Sequence, residues 1–317
     1  MKGLEIAERY YFEVVRPMLA ERFPALLPRL AAGLAGEGSE CFGFDDAVSR
    51  DHDFGPGVCL WLTGADYASC GAALQAAYDG LPGGFMGFEK RQDGPYAGKR
   101  VGVFSVNEWY ACFIGTELPP ASPDRWLRLR EERLAACTNG KIFEDGSGAF
   151  TALRNALRYY PEPVRIRRIA AAASGMGQSG QYNFARCMQR GETVAAALAR
   201  AEFLKEAIQL MYLIHKAYAP YYKWAFRGLT EQPLLQEVHP LLKQLAELPV
   251  LPATAEESIA LTERISAFAI DALRRQGLTE GRSDFLVDHL PFIAAAGKRA
   301  AEEYSREESR VWLLRKR

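Results

Sequence analysis

Two aspartates, Asp51 and Asp53, stand two residues apart in the stretch GSECFGFDDAVSRDHDFGP (38–56). On an extended chain that spacing puts both carboxylates on one face, with Cα atoms about 6.5 Å apart. Carboxylates so placed can converge on a pair of divalent cations, which sit roughly 3.5–4 Å apart in two-metal sites. Gly38 and Ser39 lie upstream, with eleven residues between Ser39 and Asp51. A Gly-Ser turn opening a helix lets backbone N–H groups approach a phosphate, because glycine puts no side chain in the way. Mg2+ takes carboxylates together with phosphate oxygens more readily than a full protein cage. The combination reads as a nucleoside-triphosphate site in miniature. A second reading stands beside it: Asp45, Asp46, Ser49 and Asp51 are turn and cap residues ahead of a strand.

The surrounding pattern says what must hold these residues. Residues 4–22 carry apolar side chains at helical spacing, with Pro17 as a point of kinking. ALLPRLAAGLA (25–35) predicts a second short helix. VCLWL (58–62) predicts a buried strand, and DYASCGAALQAAYDGL (66–81) a helix ended by Pro-Gly-Gly. RVGVFSV (100–106) predicts another strand, with NEWYACFIG opening a helix behind it. ELPPASP (117–123) is the most linker-like segment, and almost everything beyond it has helical period. The expected architecture is α+β: a mixed β-sheet with flanking helices over residues 1–123, then an all-helical bundle over residues 124–317.

Bulk properties narrow the classes. The chain has 317 residues, 49% apolar and 25% charged, the composition of a soluble globular protein. Lys plus Arg equals Asp plus Glu at 39 each, which removes the simplest argument for a broad nucleic-acid-binding surface. No run approaches the roughly 20 apolar residues of a membrane helix, and Glu5, Glu8 and Arg9 stand where a signal peptide needs an apolar core. The expectation is a cytoplasmic protein with no membrane partner. Its six cysteines form no CxxC pair and are read as reduced, mostly buried thiols.

Other residues invite chemistry less directly. His52 alternates to the face opposite the two aspartates and reads as a packed histidine. Arg186 and Arg190 share a helix face at i,i+4, which suits an anion or a pair of salt bridges equally. The string YYKW offers aromatic rings with Lys223 among them, suited to stacking and phosphate contact or to core packing. Arg154, Arg158, Arg165, Arg167 and Arg168 form a basic segment; a solvated helix is favoured there over RNA contact. His215, His239 and His289 have no motif around them.

The order of these strings resembles a known family. Gly-Ser followed at that distance by Asp-x-Asp is similar to the signature of the nucleotidyltransferase superfamily, which includes DNA polymerase β and the aminoglycoside nucleotidyltransferases. The longer stretch resembles the motif of the bacterial family called domain of unknown function 4037. CTNGKIFEDGSG (137–148), LRYYPEPV (157–164), GQYNFARCMQRGE (180–192) and YAPYYKWAFRGL (218–229) agree with that family, and the helical half resembles the substrate domain of the aminoglycoside enzymes. The resemblance implies that Gly38 and Ser39 hold a triphosphate and that Asp51 and Asp53 bind Mg2+, two ions being expected. It also implies that Arg186, Arg190 and Lys223 face the nucleotide. The implied reaction moves a nucleoside monophosphate from an NTP to a hydroxyl of a small-molecule acceptor. Two alternatives stay open: a toxin-like enzyme acting on tRNA or protein, and a nucleotide-binding module with little catalysis. The superfamily's third carboxylate has no counterpart in RVGVFSV; Glu108 is the nearest substitute. Where the family string continues Gly-Pro-Arg, this chain has Gly55-Pro56-Gly57.

Overall fold

The computed structural model describes residues 1–50, 54–89, 91, 98–231 and 236–315, leaving aside the side chains of Arg50 and of residues 308–315. Asp51, His52 and Asp53 lie outside the described residues. The chain divides into two compact units: Met1–Ala121 with Leu129–Arg158, and Ser122–Arg128 with Tyr159–Arg317.

The first unit begins with one long helical segment of changing pitch. α1 (Gly3–Tyr10) passes into a π-helical stretch (Tyr11–Val15) and then α2 (Arg16–Arg22). Pro17 explains the wide turn. It has no N–H, and its ring would strike the carbonyl of residue 13 in a regular helix. The expected second helix is absent. Residues 31–34 form strand β1 (Ala31–Leu34), although Ala and Leu are good helix formers. Pairing on both sides overrides propensity: β1 lies between two partner strands and all four of its residues are buried.

The sheet is mixed, in the order β3-β2-β1-β4. β2 (Cys59–Leu62) runs antiparallel to β1 with Gly33 opposite Cys59. α3 (Gly64–Asp79) follows, capped by Thr63, whose hydroxyl accepts from the Asp66 N–H. β3 (Gly102–Ser105) pairs parallel to β2, and α4 (Val106–Ile114) leaves it directly. After α5 (Pro123–Leu127), which belongs with the second unit, come α6 (Glu131–Thr138), β4 (Lys141–Asp145) and α7 (Ala149–Ala156). β4 pairs antiparallel to β1.

That pairing moves the boundary expected at 123/124. Residues 129–158 belong to the first unit because β4 completes its sheet and α7 completes its core. Phe150 of α7 stacks on Trp61 of β2 with ring centroids 3.9 Å apart, and Trp109 and Tyr110 of α4 close around both. Trp61, Tyr110 and Phe150 are fully buried. Cys41, Cys59 and Cys137 are buried, Cys70 and Cys187 half-buried and Cys112 exposed, so half rather than most of the cysteines are buried.

The second unit is helical throughout its described residues. α8 (Glu162–Met176) runs into a second π-helical stretch (Gly177–Phe184) and α9 (Ala185–Gln189). α10 (Thr193–His215), α11 (Tyr222–Leu229), α12 (Val238–Glu247), α13 (Ala255–Arg275) and α14 (Leu290–Arg315) complete it. α8 and α10 are central: α8 packs on α10 and α14, and α10 packs on the π-helical stretch and α13. Met176, Phe184, Phe203, Leu210 and Ile265 fill the core between them. No described helix is long and apolar enough to cross a membrane.

Candidate functional site

β1 ends at Leu34, and the chain then turns through Gly36-Glu37-Gly38-Ser39. Asn139 holds the start of that turn. Its side-chain carbonyl accepts from the Gly36 N–H at 3.0 Å, and its amide donates to the Gly36 carbonyl at 2.7 Å. Ser39–Phe42 forms one turn of 3-10 helix, ended by Gly43 in the left-handed region. The Gly-Ser turn therefore opens a single helical turn rather than a long helix.

The five acids of the opening stretch separate sharply. Glu40 is buried and paired with buried Arg91, Nη2 to Oε1 at 2.6 Å. Asp45 is buried and caps α1 from a distance, accepting the Gly3 N–H at 2.9 Å. Asp46 folds the local turn, accepting the N–H groups of Val48 and Ser49. Glu40, Asp45 and Asp46 thus hold the fold, and the turn-and-cap reading named Asp45 and Asp46 among them. Asp51 and Asp53 lie outside the described residues.

A pocket of about 460 Å3 opens in the first unit beside the turn. Gly36 and Gly38 form part of one wall. The Glu108–Phe113 face of α4 forms part of another, with Phe104 of β3 between them. Among the described residues, four cations line it, Arg91, Lys99, Arg100 and Arg133, against three carboxylates, Glu37, Glu40 and Glu108. Lys99 donates to the Gln75 side chain at 2.6 Å and the Val103 carbonyl at 2.7 Å. Arg133 donates to the Cys112 carbonyl at 2.8 Å.

Glu108 is exposed in the first turn of α4, where a carboxylate favours the helix dipole. Ser105 occupies the N-cap position, and the Asn107 side chain donates to the Glu117 carbonyl. β3 is parallel to β2, so Glu108 follows the end of β3 that lies beside Leu62. The chain coming from the acid stretch enters β2 at the other end, beside Gly102. Among the described residues, no strand supplies an idle acid in compensation. On β4, Glu144 accepts from the Tyr11 hydroxyl at 2.6 Å and from Arg16 at 2.8 Å. Asp145 accepts the N–H groups of Gly148 and Thr151. Among the described residues, no group of three or more His, Cys, Asp or Glu side chains could hold a metal ion.

In the second unit, Arg186 is exposed on α9, its guanidinium carbon 4.2 Å from the centre of the Tyr182 ring. Arg190 is exposed at the C-cap, so the i,i+4 pair straddles a helix end instead of sharing a continuous helix. Lys223 is exposed on α11 with its ammonium 5.2 Å from the Trp224 ring. Among the described residues no hydrogen bond or ring contact joins Lys223 to either arginine. The basic segment is more engaged than its charge suggests. Arg165 is buried and donates to both Glu162 oxygens, to Gln276 and to the Leu213 carbonyl. Burial alone would raise the Glu162 carboxyl, yet Arg165 and Lys216 hold it below its ordinary range. Arg167 pairs with Asp124, and Arg168 donates to the Leu127 carbonyl. His289 is fully buried between the Thr279 hydroxyl and the Ser283 carbonyl, the place of a core histidine.

The Glu40–Arg91 pair was not legible in the sequence. Fifty-one residues separate its partners, and Arg91 belongs to no motif.

Residues 126–225 match the model of a family described as a domain of unknown function (DUF4037). The matched segment contains the strings at 137–148, 157–164 and 180–192; the stretch at 38–56 lies outside it. A crystal structure of a nucleotidyltransferase-like protein from Exiguobacterium sibiricum 255-15 is similar over 93% of this chain and 91% of its own. Its identity is 13% and its TM-score 0.34, a likeness too slight to carry an argument. No curated protein matches the chain.

Proposed function

We propose that this protein binds a nucleoside triphosphate with Mg2+ at the first unit and transfers the nucleoside monophosphate to a hydroxyl of a small molecule, the acceptor oxygen bonding to the α-phosphorus as the α–β phosphoanhydride bond breaks and pyrophosphate leaves. The observation that supports this most is the register of β1 on β2. Gly33 lies opposite Cys59, so the Gly36–Ser39 turn leaves the sheet at the end where Phe54–Val58 enter it. In the chain, Asp53 directly precedes Phe54. The Gly38-Ser39 turn and the described segment Phe54–Val58 thus adjoin one end of one sheet, beside a pocket of about 460 Å3, in the size range of small-molecule sites, about 300–1,000 Å3.

On this reading Gly38 and Ser39 meet the phosphates through backbone N–H groups and the Ser39 hydroxyl. Asp51 and Asp53 are the metal-binding carboxylates. Their donor chemistry fits Mg2+, which takes one or two carboxylates and completes its shell with phosphate oxygens and water. When bound, the metal offsets phosphate charge and activates the acceptor oxygen. The resemblance also implies Arg186, Arg190 and Lys223 as further cations for phosphate, and Glu108, which lines the same pocket as Gly38, is the candidate base. Cytoplasmic location and the absence of a membrane partner belong to the same reading.

One observation favours a second reading, a nucleotide-binding module with little catalysis. β3 carries no carboxylate, and both acids of β4 are engaged in the fold. Incubation with each labelled NTP, Mg2+ and a metabolite extract separates the two. Transfer predicts a nucleotidylated product that Glu108→Gln diminishes by on the order of 10²-fold. Tight binding with no product assigns the module.

A further inference from the structure

We infer that the buried Glu40–Arg91 ion pair is a clamp that fixes the Gly36–Ser39 turn against the segment leading into β2, and so positions the phosphate-binding turn. This inference rests on the nucleotide reading above; the clamp itself rests on four contacts. Glu40 and Arg91 side chains are 4% and 3% exposed. The Glu40 carboxylate folds back beneath Gly38, where an added Cβ would overlap both of its oxygens. On its other side Glu40 packs under the start of α1, since a Cβ on Gly3 would come within 2.5 Å of the Glu40 Cβ. The backbone around Arg91 presses on Gly55: a Cβ there would lie 2.5 Å from the Glu89 carbonyl oxygen and 3.1 Å from the Arg91 nitrogen. One charge pair therefore joins the turn after β1 to Phe54–Val58. Both side chains also line the pocket.

The chemistry suits a positioning role. Burial works against the Arg91 charge, but the Glu40 carboxylate outweighs it and holds the guanidinium protonated. A buried pair is weak as a source of stability, because desolvation offsets attraction; where such pairs matter, they specify one arrangement. Arg91 is engaged by Glu40, so its proposed role is to act through the turn.

The test uses the full chain and two variants that keep the fold. Glu40→Leu with Arg91→Met replaces the pair by apolar side chains of similar length, a change often neutral for stability. Gly38→Ala leaves a backbone that any residue adopts, φ −65°, but takes the carboxylate's space. Thermal melts check folding. Hydrogen exchange then reads the clamp, and calorimetry with Mg·ATP and Mg·GTP reads its service to the site. The inference expects exchange in peptides covering 36–44 and 54–58 to quicken by about tenfold or more, with the Trp61–Phe150 core unchanged. It expects nucleotide affinity to fall by on the order of tenfold or more, since small misplacements of binding groups cost that much. Unchanged exchange in both variants overturns the clamp. Faster exchange with undiminished affinity overturns its positioning role. A wild-type chain that binds neither nucleotide refutes the nucleotide reading and the positioning role with it, and the exchange data then report on the clamp alone.

Discussion

Gly140 and Gly148 offer a matched pair. Both sit in the left-handed region, at φ +71° and +70°, within the segment that carries β4. An L-residue there costs about 1–2 kcal/mol at either position. Their surroundings differ. Nothing lies within 4 Å of a Cβ on Gly148. At Gly140 the Cβ would overlap the Leu34 carbonyl and come within 2.8 Å of the Ala35 Cα. Those are backbone atoms at the end of β1, and they cannot yield without opening the β1–β4 ladder or moving the Gly36 turn. Forcing extra atoms into a packed site costs about 1–3 kcal/mol. Gly148→Ala should therefore destabilise by about 1–2 kcal/mol and Gly140→Ala by about 2–5 kcal/mol. The excess corresponds to roughly 2–12 °C in the melting temperature at about 2–4 °C per kcal/mol. Urea unfolding of the two variants reads the difference directly through the midpoint at constant slope. Values within about 0.5 kcal/mol of each other would refute the argument that β1 approaches Gly140 closely.

Three further outcomes follow from the same geometry. Burial pushes the Cys59 and Cys137 thiols up to about 12 and raises Cys41 as well. A thiol raised on folding stabilises fully below its unfolded value, so stability should begin to fall above pH 9 and keep falling toward pH 12, at about 1.4 kcal/mol per pH unit for each thiol; iodoacetamide and mass spectrometry at pH 8.5 should label Cys112 first. Arg165→Ala leaves Gln276 and the Leu213 carbonyl without this donor, while Glu162 stays part-exposed beside Lys216, and should destabilise by about 1–3 kcal/mol, with no specific loss of RNA binding in a filter assay. Lys223→Ala should weaken triphosphate binding more than monophosphate binding in calorimetry; equal losses would make Lys223 a surface residue only.

Much of the fold was legible in the sequence, for identifiable reasons. VCLWL and the core of RVGVFSV are continuous apolar runs, and they appear as β2 and β3 in parallel pairing. The helices behind them begin and end close to where Thr63, Pro82 and Gly115 direct. β1 was misread because AAGL has helical composition, and only pairing on both sides makes it a strand. β4 was missed because KIFED is half polar and only half-buried. Its flanking Asn139-Gly140 and Gly146-Ser147-Gly148 are turn signals that bracket a strand and would have revealed it. That omission also misplaced the unit boundary. Within the opening stretch, Asp46 acts locally and could be read as a turn residue. The duties of Glu40 and Asp45 depend on Arg91 and Gly3, partners that no local pattern names.

The central claim is that Asp51 and Asp53 hold Mg2+ with a nucleoside triphosphate beside the Gly38-Ser39 turn. Calorimetric titration of Mg·NTP into the wild type and into Asp51→Asn with Asp53→Asn tests it most directly, with thermal melts confirming that both are folded. The account predicts saturable, Mg2+-dependent binding by the wild type and none by the double variant. Equal affinity in the two proteins would contradict it and put the site elsewhere.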